Sequence, residues 1–316
     1  MRHRCGGTVD MAATFRGVFL ALCAGCCWSS LSLIGKVLAE TSADMIAVTI
    51  VRLSVLVVGW SVLLFLRDRE SLRFPVARCL FLWGAGTASV LFNYVGYFLS
   101  LSYLSVPMAV ILLYTYPLWT TLTSGIVLAE RPTHVQIGAS CLIVVGAATA
   151  VGSSVKGGWG MVSPLGVLLA LAGAVGMALY SLFGRLSSRG TAMTQGTFFL
   201  YFHAFALLSL TVMALFSGSL ERLMAFSAAQ WSGALAVGVV GTLMGYGLYF
   251  MALRDISASL GSGVATVELL ATLALSTLLL GQIPTFWEML GGGVIVVGIA
   301  WGLWGEMRAR CPQTPE

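Results

Sequence analysis

Residues 244–284 of this chain read MGYGLYFMALRDISASLGSGVATVELLATLALSTLLLGQIP, and residues 92–132 read FNYVGYFLSLSYLSVPMAVILLYTYPLWTTLTSGIVLAERP. A shift of 152 positions lays the earlier stretch on the later one, with Tyr94 on Tyr246. The further identities under this shift are Tyr97 on Tyr249, Phe98 on Phe250, Ser105 on Ser257, Pro132 on Pro284 and Thr133 on Thr285. The sequence therefore predicts an internal duplication.

The two copies differ at their centres. The same shift of 152 positions places Tyr116 opposite Glu268, a phenol opposite a carboxyl group. An ionisable side chain thus lies within an apolar run of one copy and has a neutral counterpart in the other. We expect a two-fold architecture whose centre is chemically asymmetric.

The composition of the chain is that of an integral membrane protein. Of its 316 residues, 58% are hydrophobic and 9% are charged, whereas soluble domains carry about 25% charged residues. The apolar runs are continuous rather than alternating, which favours helices over a barrel of strands. The first run continues well past the length of a signal peptide, so we expect it to be retained as a helix.

Ten spans are predicted, most of them near the roughly 20 residues that cross the hydrocarbon core. They cover residues 17–37, 45–66, 79–100, 106–127, 135–153, 164–184, 195–216, 231–251, 257–279 and 286–305. The predicted fold class is an all-α integral membrane protein of ten transmembrane helices, arranged as two inverted five-helix repeats. The predicted boundary divides residues 1–154, with spans 1 to 5, from residues 155–316, with spans 6 to 10.

The basic residues predict the orientation. With the N-terminus in the cytoplasm, thirteen of the 17 Lys and Arg residues fall on the cytoplasmic side, three fall on the other side, and Arg52 lies within span 2. Such a bias is typical of cytoplasmic loops. We therefore expect both termini in the cytoplasm and an inner or plasma membrane location. The net charge of +5 is explained by this topology, so no nucleic-acid partner is expected.

The odd number of spans in each half makes the repeats inverted. The second half must enter the membrane from the side opposite to the first. A shift of 149 positions matches the first span of each half and places Lys36 on Arg185, so we expect these cations at opposite faces, where they snorkel to the headgroups or serve function. In transporters built from inverted repeats, substrates bind near the midplane between the repeats.

The chain resembles the EamA-like permeases of the drug/metabolite transporter superfamily. The resemblance rests on GVFLALCAGCCWSSLSLIGK at residues 17–36, on IVRLSVL around Arg52, on LAERPT at the end of span 4 and on the two stretches quoted first. It covers residues 14–306 and implies export or exchange of small metabolites and drugs. Members often carry Glu-Pro where this chain has Glu268-Leu269, so we expect span 9 to lack the kink that a proline produces.

Glu268 is the first candidate for a substrate-binding residue. A carboxylate at the centre of a span costs on the order of 3 kcal/mol, so it is retained where it faces a cavity or a partner. One interpretation is a proton carrier or a counter-charge for a substrate amine. The alternative is a structural carboxylate that caps the amides of a broken helix.

Arg52 and His203 are further candidates. Arg52 stays charged inside span 2, so it either clamps a substrate anion, or pairs with Glu268, or snorkels outward. His203 lies approximately at the equivalent position of the second half and titrates near physiological pH in its ordinary state. Its alternative role is that of a hydrogen-bonded packing residue.

Aromatic residues are expected to line the centre, since they hold cations and flat molecules and need partners for their polar atoms. They are Trp28, Tyr94, Tyr97, Tyr114, Tyr116, Tyr180, Tyr246 and Tyr249. Asn93 faces Gly245 under the repeat shift, so it is a polar group of one half only. It contacts substrate or hydrogen-bonds a neighbouring helix.

Two patterns of small residues are interpreted as packing. Cys23, Cys26 and Cys27 lack further ligands in the matched half, so neither a metal nor a cofactor is expected. Gly298 and Gly302 in span 10, like their counterparts in span 5, let helices approach closely. Such faces either pack the bundle or form a homodimer through spans 5 and 10.

The sequence as a whole predicts a secondary active transporter. We expect an exporter or exchanger of small organic metabolites such as amino acids or drugs, driven by protons or by exchange, with the lipid bilayer as its environment. The chain has no G-x-x-x-x-G-K-[ST] motif, so ATP hydrolysis is not expected. An antiporter of anionic nucleotide-linked or phosphorylated metabolites is the first alternative. A membrane-embedded enzyme is the second, but the sequence shows no convergent catalytic set and no enzyme is expected.

Overall fold

A computed structural model describes residues 7–73, 76–100, 103–104, 106–152, 163–189, 193–281 and 283–310. Over these ranges the chain forms helices and no strands. Ten of the helices within them are long and apolar enough to cross a membrane, judged by length and composition. The prediction of an all-α protein with ten transmembrane helices, in two inverted repeats of five, is confirmed. The predicted boundary at residue 154 lies outside the described residues and stays a prediction.

Six of the ten spans are single helices. Spans 1, 2, 5, 6, 7 and 10 are Gly7–Glu40, Met45–Arg67, His134–Gly152, Pro164–Ser187, Gln195–Ser217 and Phe286–Arg310. Short helices at Arg69–Leu72, Val76–Arg78 and Ser219–Met224 lie in the connections.

The other four spans are interrupted. Span 3 comprises Cys79–Leu91, the π-helical Phe92–Gly96 and Tyr97–Ser100, and span 4 comprises Val106–Leu113 and Tyr116–Val127. Span 8 comprises Ala228–Ala236, the π-helical Val237–Met244 and Gly245–Asp255, and span 9 comprises Ala258–Ala265 and Val267–Leu280. The interrupted spans of one half thus correspond to those of the other. π-Helical segments of this kind often lie at functional sites.

Span 9 is broken although it lacks a proline, so the expected absence of a kink is wrong. In span 4 the break at Tyr114 and Thr115 precedes Pro117, whose ring cannot continue the hydrogen-bond ladder. In span 9 the amide of Thr266 bonds the carbonyl of Gly263 at 3.2 Å, and the Thr266 hydroxyl donates to the same carbonyl at 2.6 Å. Thr115 makes the same turn in span 4, where its amide and hydroxyl bond the Leu112 carbonyl at 3.2 Å and 2.6 Å. A threonine turn is therefore common to both breaks, and span 9 is interrupted without a proline.

Spans 5 and 10 pack against each other with pseudo-two-fold symmetry. A Cβ atom at Gly146 would lie 2.9 Å from Ile295 Cγ1, and one at Gly298 would lie 2.8 Å from Ile143 Cγ1. The shift of 152 positions exchanges these two contacts, as a two-fold axis between the halves requires. The small residues of both spans therefore pack the bundle of one chain. The homodimer stays a prediction, and it would have to use other faces of these spans.

The two ends of the bundle differ in their polar contacts. We name them the Asp44 end, which holds the connections between spans 1 and 2 and between spans 9 and 10, and the Arg185 end. At the Asp44 end, Asp44 accepts from the Ala47 amide at 2.9 Å and from Arg222 Nε at 2.6 Å. It therefore caps span 2 and also ties the first half of the chain to the second.

The environment of Asp44 favours its charged form. Burial alone would raise the pKa of Asp44, but the hydrogen bonds from the Ala47 amide, Arg222 and Ser219 and the positive charge of Arg222 together outweigh burial. The pKa of Asp44 therefore lies below its ordinary value. A lowered pKa makes this carboxylate a source of stability at neutral pH.

We predict that Gly291→Ala destabilises the protein whereas Gly293→Ala does not. A Cβ at Gly291 would lie 2.4 Å from the backbone of span 5, and a Cβ at Gly293 would meet nothing within 4 Å. Both changes gain the same helix propensity, so their difference isolates the packing of spans 5 and 10, with an expected cost of about 1–3 kcal/mol. Thermal unfolding in detergent measures it, and equal melting temperatures would contradict the packing.

We predict that Asp44→Asn lowers the melting temperature at neutral pH, because asparagine keeps the helix cap but loses the charge that Arg222 binds. The loss should begin to shrink as the pH falls below about 4, the ordinary pKa of an aspartate, and should vanish once the pH falls through the lowered pKa of Asp44 in the folded protein. Thermal unfolding across a pH series checks this, with the exposed Glu70→Gln as control. A difference that persists at acid pH would show that the charge of Asp44 is not what stabilises this end.

Candidate functional site

A cavity of about 980 Å³ lies between the two halves and extends from the middle of the bundle to the Asp44 end. Its walls are mainly apolar side chains, which include Leu31, Leu38, Val48, Val110, Leu113, Leu269, Leu270 and Leu273. Its mouth is formed by the ends of spans 1, 2, 5, 9 and 10. Because a predominantly apolar cleft with a few polar groups is the usual form of a small-molecule site, this cavity is the candidate functional site.

Arg52 lies at the base of the cavity and is held by two neighbours. Its Nε donates to the Thr242 hydroxyl at 3.0 Å, and its Nη2 donates to the Tyr94 hydroxyl. The guanidinium also lies 4.9 Å from the centre of the Tyr94 ring. With an exposed fraction of 8% the side chain does not snorkel outward. These two hydrogen bonds use two of its five N–H groups, and the residue lines the cavity.

The ion pair between Arg52 and Glu268, one of the sequence-based alternatives, is not formed in the described part of the chain. The ion pairs found there lie elsewhere, with Asp44, Glu70, Glu130 or Asp255 as the acid. Both members nevertheless line the same cavity. A cation and a carboxyl group therefore share one apolar cavity without neutralising each other directly.

Glu268 is placed in the cavity by the break in span 9. It is the second residue of helix Val267–Leu280, where unpaired amides and the helix dipole favour a negative charge. Its side chain lines the cavity, and the Ser32 hydroxyl lies at a long 3.5 Å from Oε1. Tyr97 and Tyr114 lie close enough to act on it electrostatically.

Tyr94 and its counterpart Tyr246 meet near the pseudo-two-fold axis. Their hydroxyl groups are 3.4 Å apart, and the shift of 152 positions exchanges them. Tyr94 and Tyr97 line the cavity, as does Asn93. Asn93 also donates to the Gly173 carbonyl at 3.2 Å, so it performs the packing role that the sequence left open and remains accessible as well.

Four other sequence-predicted candidates lie beneath the cavity, towards the Arg185 end. Tyr116, Tyr249 and Trp28 are buried, and Tyr246 packs beside them. The Trp28 ring lies 4.9 Å from that of Tyr246 and 5.1 Å from that of Tyr249. None of the four is among the residues described as lining the large cavity. In this state they form an aromatic floor that closes the site on one side.

His203 is held as a packing residue in this state. Its Nδ1 lies 2.8 Å from the Phe199 carbonyl, so Nδ1 donates, and its Nε2 lies 3.2 Å from the Tyr180 hydroxyl, from which neutral Nε2 accepts. A cavity of about 10 Å³ separates His203 from Asn93 and Tyr94. That space admits about one water molecule, so His203 is close to the site without reaching it.

Interactions at the Arg185 end close that side of the bundle. Glu130, which follows the end of span 4, accepts from Arg185 Nε at 3.2 Å and also binds Arg189. Arg185 Nη1 donates to the Leu253 carbonyl at 2.9 Å. These contacts join spans 4, 6 and 8. The expected snorkelling of Arg185 is thus replaced by an internal ion pair. The acid in the LAERPT motif was the sequence signal for it.

A second cavity, of about 510 Å³, lies at the Arg185 end, and Glu130 and Arg185 are among the residues that line it. Four of its lining residues are the repeat counterparts of residues at the mouth of the large cavity. They are Ser124, Arg131, Thr133 and Gln136, which correspond to Ser276, Ile283, Thr285 and Glu288. Each half thus provides the mouth of one cavity. The cavity at the Asp44 end is deep, whereas the one at the Arg185 end is closed above its mouth.

Two polar residues of the site were not found from the sequence. Ser32 and Thr242 contact Glu268 and Arg52, but hydroxyl residues occur throughout the spans and carry no distinguishing pattern. Across the described residues, no group of three or more His, Cys, Asp or Glu could hold a metal ion. Cys23, Cys26 and Cys27 are free thiols.

Comparisons with known proteins agree with this architecture. The model of the EamA-like transporter family matches residues 15–152 and again residues 164–303. No curated protein matches the chain. A solved structure described only as "Crystal structure of protein" superposes with a TM-score of 0.73 at 19% sequence identity, and the match covers 95% of this chain and 99% of the other. That likeness shows a shared fold.

We predict that Thr272→Cys reacts readily with a water-soluble thiol reagent and that Thr120→Cys does not. The two threonines correspond under the repeat shift, but Thr272 lines the large cavity and Thr120 is fully buried. The rates are measured in a background whose native cysteines are alanine. Equal rates would show that the two halves are equally open and would contradict the description of the cavity.

Proposed function

The chain belongs to the EamA-like transporter family, as its sequence predicted, and from that premise we propose that this multi-pass membrane protein is a secondary active transporter. It binds a small organic solute between Arg52 and Glu268. The supporting observation is that these two opposite charges line one otherwise apolar cavity. Both are costly in a membrane interior unless they serve water, a partner or a ligand.

The charges favour a solute with both a carboxylate and an amine. A guanidinium fork binds a carboxylate with two parallel hydrogen bonds, while the Glu268 carboxylate accepts from an ammonium group. Tyr94, Tyr97 and Tyr114 add aromatic faces for a cation. The leucine and valine walls suit an apolar side chain. Amino acids and amphipathic drugs of similar charge fit this pattern.

The alternative substrate class, anionic nucleotide-linked or phosphorylated metabolites, has less support. Arg52 is the one cation among the described residues that line the cavity. A phosphate-bearing solute carries two or more negative charges, and Glu268 would repel it. The family also favours transport over the enzyme alternative, since its description is that of transporters.

The distribution of basic residues supports an orientation with the Arg185 end in the cytoplasm. Two basic residues in the described part, Lys36 and Arg222, lie at the Asp44 end, whereas eleven lie at the Arg185 end, namely Arg16, Arg67, Arg69, Arg73, Arg78, Arg131, Arg185, Arg189, Arg254, Arg308 and Arg310. The positive-inside rule therefore supports cytoplasmic termini. In an inner or plasma membrane the cavity would then face outward, as it does in one state of an exporter or exchanger.

Energy for transport would come from a gradient or from exchange. Glu268 is the group that we propose to carry the proton, because it is a carboxyl group in the cavity and can bind either a proton or an amine. Competition of the two for one carboxylate is a simple basis for coupling, since each can be carried only when the other is absent.

We predict that Arg52→Gln and Glu268→Gln each weaken binding of a neutral amino acid with an apolar side chain by about ten- to a hundred-fold, the range expected for one charge-assisted hydrogen bond. Glu288→Gln is the matched control. It removes a charge at the mouth, and glutamine already fills the corresponding position at Gln136. Affinity is measured by titration calorimetry after a thermal-shift screen selects the ligand. Unchanged affinity in both Arg52→Gln and Glu268→Gln would overturn the proposal.

A further inference from the structure

Two hydrogen bonds between spans hold the closed half together beneath the cavity. The Tyr116 hydroxyl of span 4 donates to the Ser262 carbonyl of span 9 at 3.0 Å. The hydroxyls of Ser181 in span 6 and Tyr249 in span 8 are 2.7 Å apart. All four residues are buried. These bonds join the spans that must separate if a cavity is to open towards the Arg185 end.

The counterparts of these four residues line the open cavity. The shift of 152 positions takes Tyr116 to Glu268 and Ser262 to Val110, and both line the cavity. The shifts of 149 and 152 take Ser181 to Ser32 and Tyr249 to Tyr97, which line it too. Each contact of the closed half therefore has its copy in the wall of the open cavity.

The chemistry of the first contact differs between the halves. Tyr116 always has a hydroxyl hydrogen to donate to the Ser262 carbonyl. A deprotonated Glu268 has none, because a carboxylate is only an acceptor, and its oxygens would be repelled by the Val110 carbonyl. A protonated Glu268 has one O–H donor. The Val110 carbonyl already accepts from the Tyr114 amide at 2.9 Å, and its second lone pair can accept another bond.

We propose that the cavity closes at the Asp44 end through a hydrogen bond from protonated Glu268 to the Val110 carbonyl, with Ser32 and Tyr97 forming the second contact. This closed gate copies the pair Tyr116–Ser262 and the pair Ser181–Tyr249. The proposal rests on the proposed function in one respect, that the chain is a transporter whose two halves open in turn. It adds the regulation of that site, namely which chemical state of Glu268 allows the gate to close.

The groups that face Glu268 set when it takes up a proton. Span 1 contributes Ser32, span 2 contributes Arg52, span 3 contributes Tyr97, span 4 contributes Tyr114 and Tyr116, and span 8 contributes Tyr246. Arg52 is the one full charge among them, and it favours the deprotonated form. A substrate carboxylate bound to Arg52 would offset that charge.

A substrate amine offers a second way to close the gate. An ammonium group has three N–H donors, so it can bridge the Glu268 carboxylate and the Val110 carbonyl where the proton would otherwise lie. The cavity then closes when Glu268 has bound a proton or a substrate amine. It stays open when Glu268 is charged and has bound neither. Exchange of substrate for a proton follows from that rule, because the empty carrier cannot return.

The test uses the Thr272→Cys reporter without substrate, in the full-length protein whose native cysteines are alanine. Its labelling rate is divided by the rate of the same cysteine in unfolded protein at each pH. The wild-type site should label more slowly as the pH falls, by about two- to ten-fold, the population change that one net hydrogen bond produces.

Two variants of Glu268 separate the hydrogen bond from the loss of charge. Glu268→Gln keeps a donor at every pH, so labelling should be slow and independent of pH. Glu268→Met has similar length and no donor, so labelling should be fast and independent of pH. Equal rates in the two variants would overturn the proposed bond and leave removal of the charge as the cause of closure. A wild-type rate that does not change with pH would overturn the proposal outright.

A variant of the closed half gives an independent check. Tyr116→Phe removes the donor to Ser262 and should speed the labelling of Thr120→Cys by a similar factor, without pH dependence. An unchanged rate would contradict the idea that this bond holds the closed half. Substrate affinity is measured separately in each protein. If the protein binds amino acids but its labelling does not depend on pH, this inference alone is overturned. If labelling depends on pH but no amino acid binds, the proposed substrate class alone is overturned.

Discussion

The cost of placing a guanidinium and a carboxyl group inside an apolar bundle is the constraint on which this structure depends. Arg52 cannot lose its charge, and its contacts with Thr242 and Tyr94 leave part of its fork directed to the cavity. Glu268 stands at the start of a helix segment that exists because span 9 is interrupted. Both groups therefore need the cavity, and the interruptions of spans 3, 4, 8 and 9 are what place polar atoms at its base.

The inverted duplication explains why one half is open and the other is closed. The halves have the same spans, the same interruptions and the same packing of glycine against isoleucine between spans 5 and 10. They differ at the centre of the bundle, where phenols and hydroxyls such as Tyr116 and Ser181 occupy the closed half and Arg52 and Glu268 occupy the open one. Neutral hydroxyl groups can pair with each other in a dry interior, whereas charged groups cannot be buried without compensation.

Much of this could be predicted from the sequence, and the reasons for the limits are physical. The shift of 152 positions, the hydropathy and the arginine distribution predicted ten spans in two inverted halves, and they selected Arg52, Glu268 and Tyr94 for the centre. The break in span 9 was not predicted, because it is made by a threonine turn and needs no proline. The sequence pattern also does not distinguish the cavity-lining Tyr97 from the buried Tyr249, because the two tyrosines are repeat counterparts in equivalent helices. Ser32 and Thr242 were invisible because their role depends on neighbours from other spans.

The central claim is that a proton and a substrate amine compete for Glu268, and its most direct test is the movement of protons against substrate. In proteoliposomes with an internal pH dye, an outward gradient of the selected amino acid should move protons in the opposite direction in the wild-type protein. In Glu268→Gln the proton movement should vanish. Equal proton movement in both proteins, at equal substrate flux, would contradict the account.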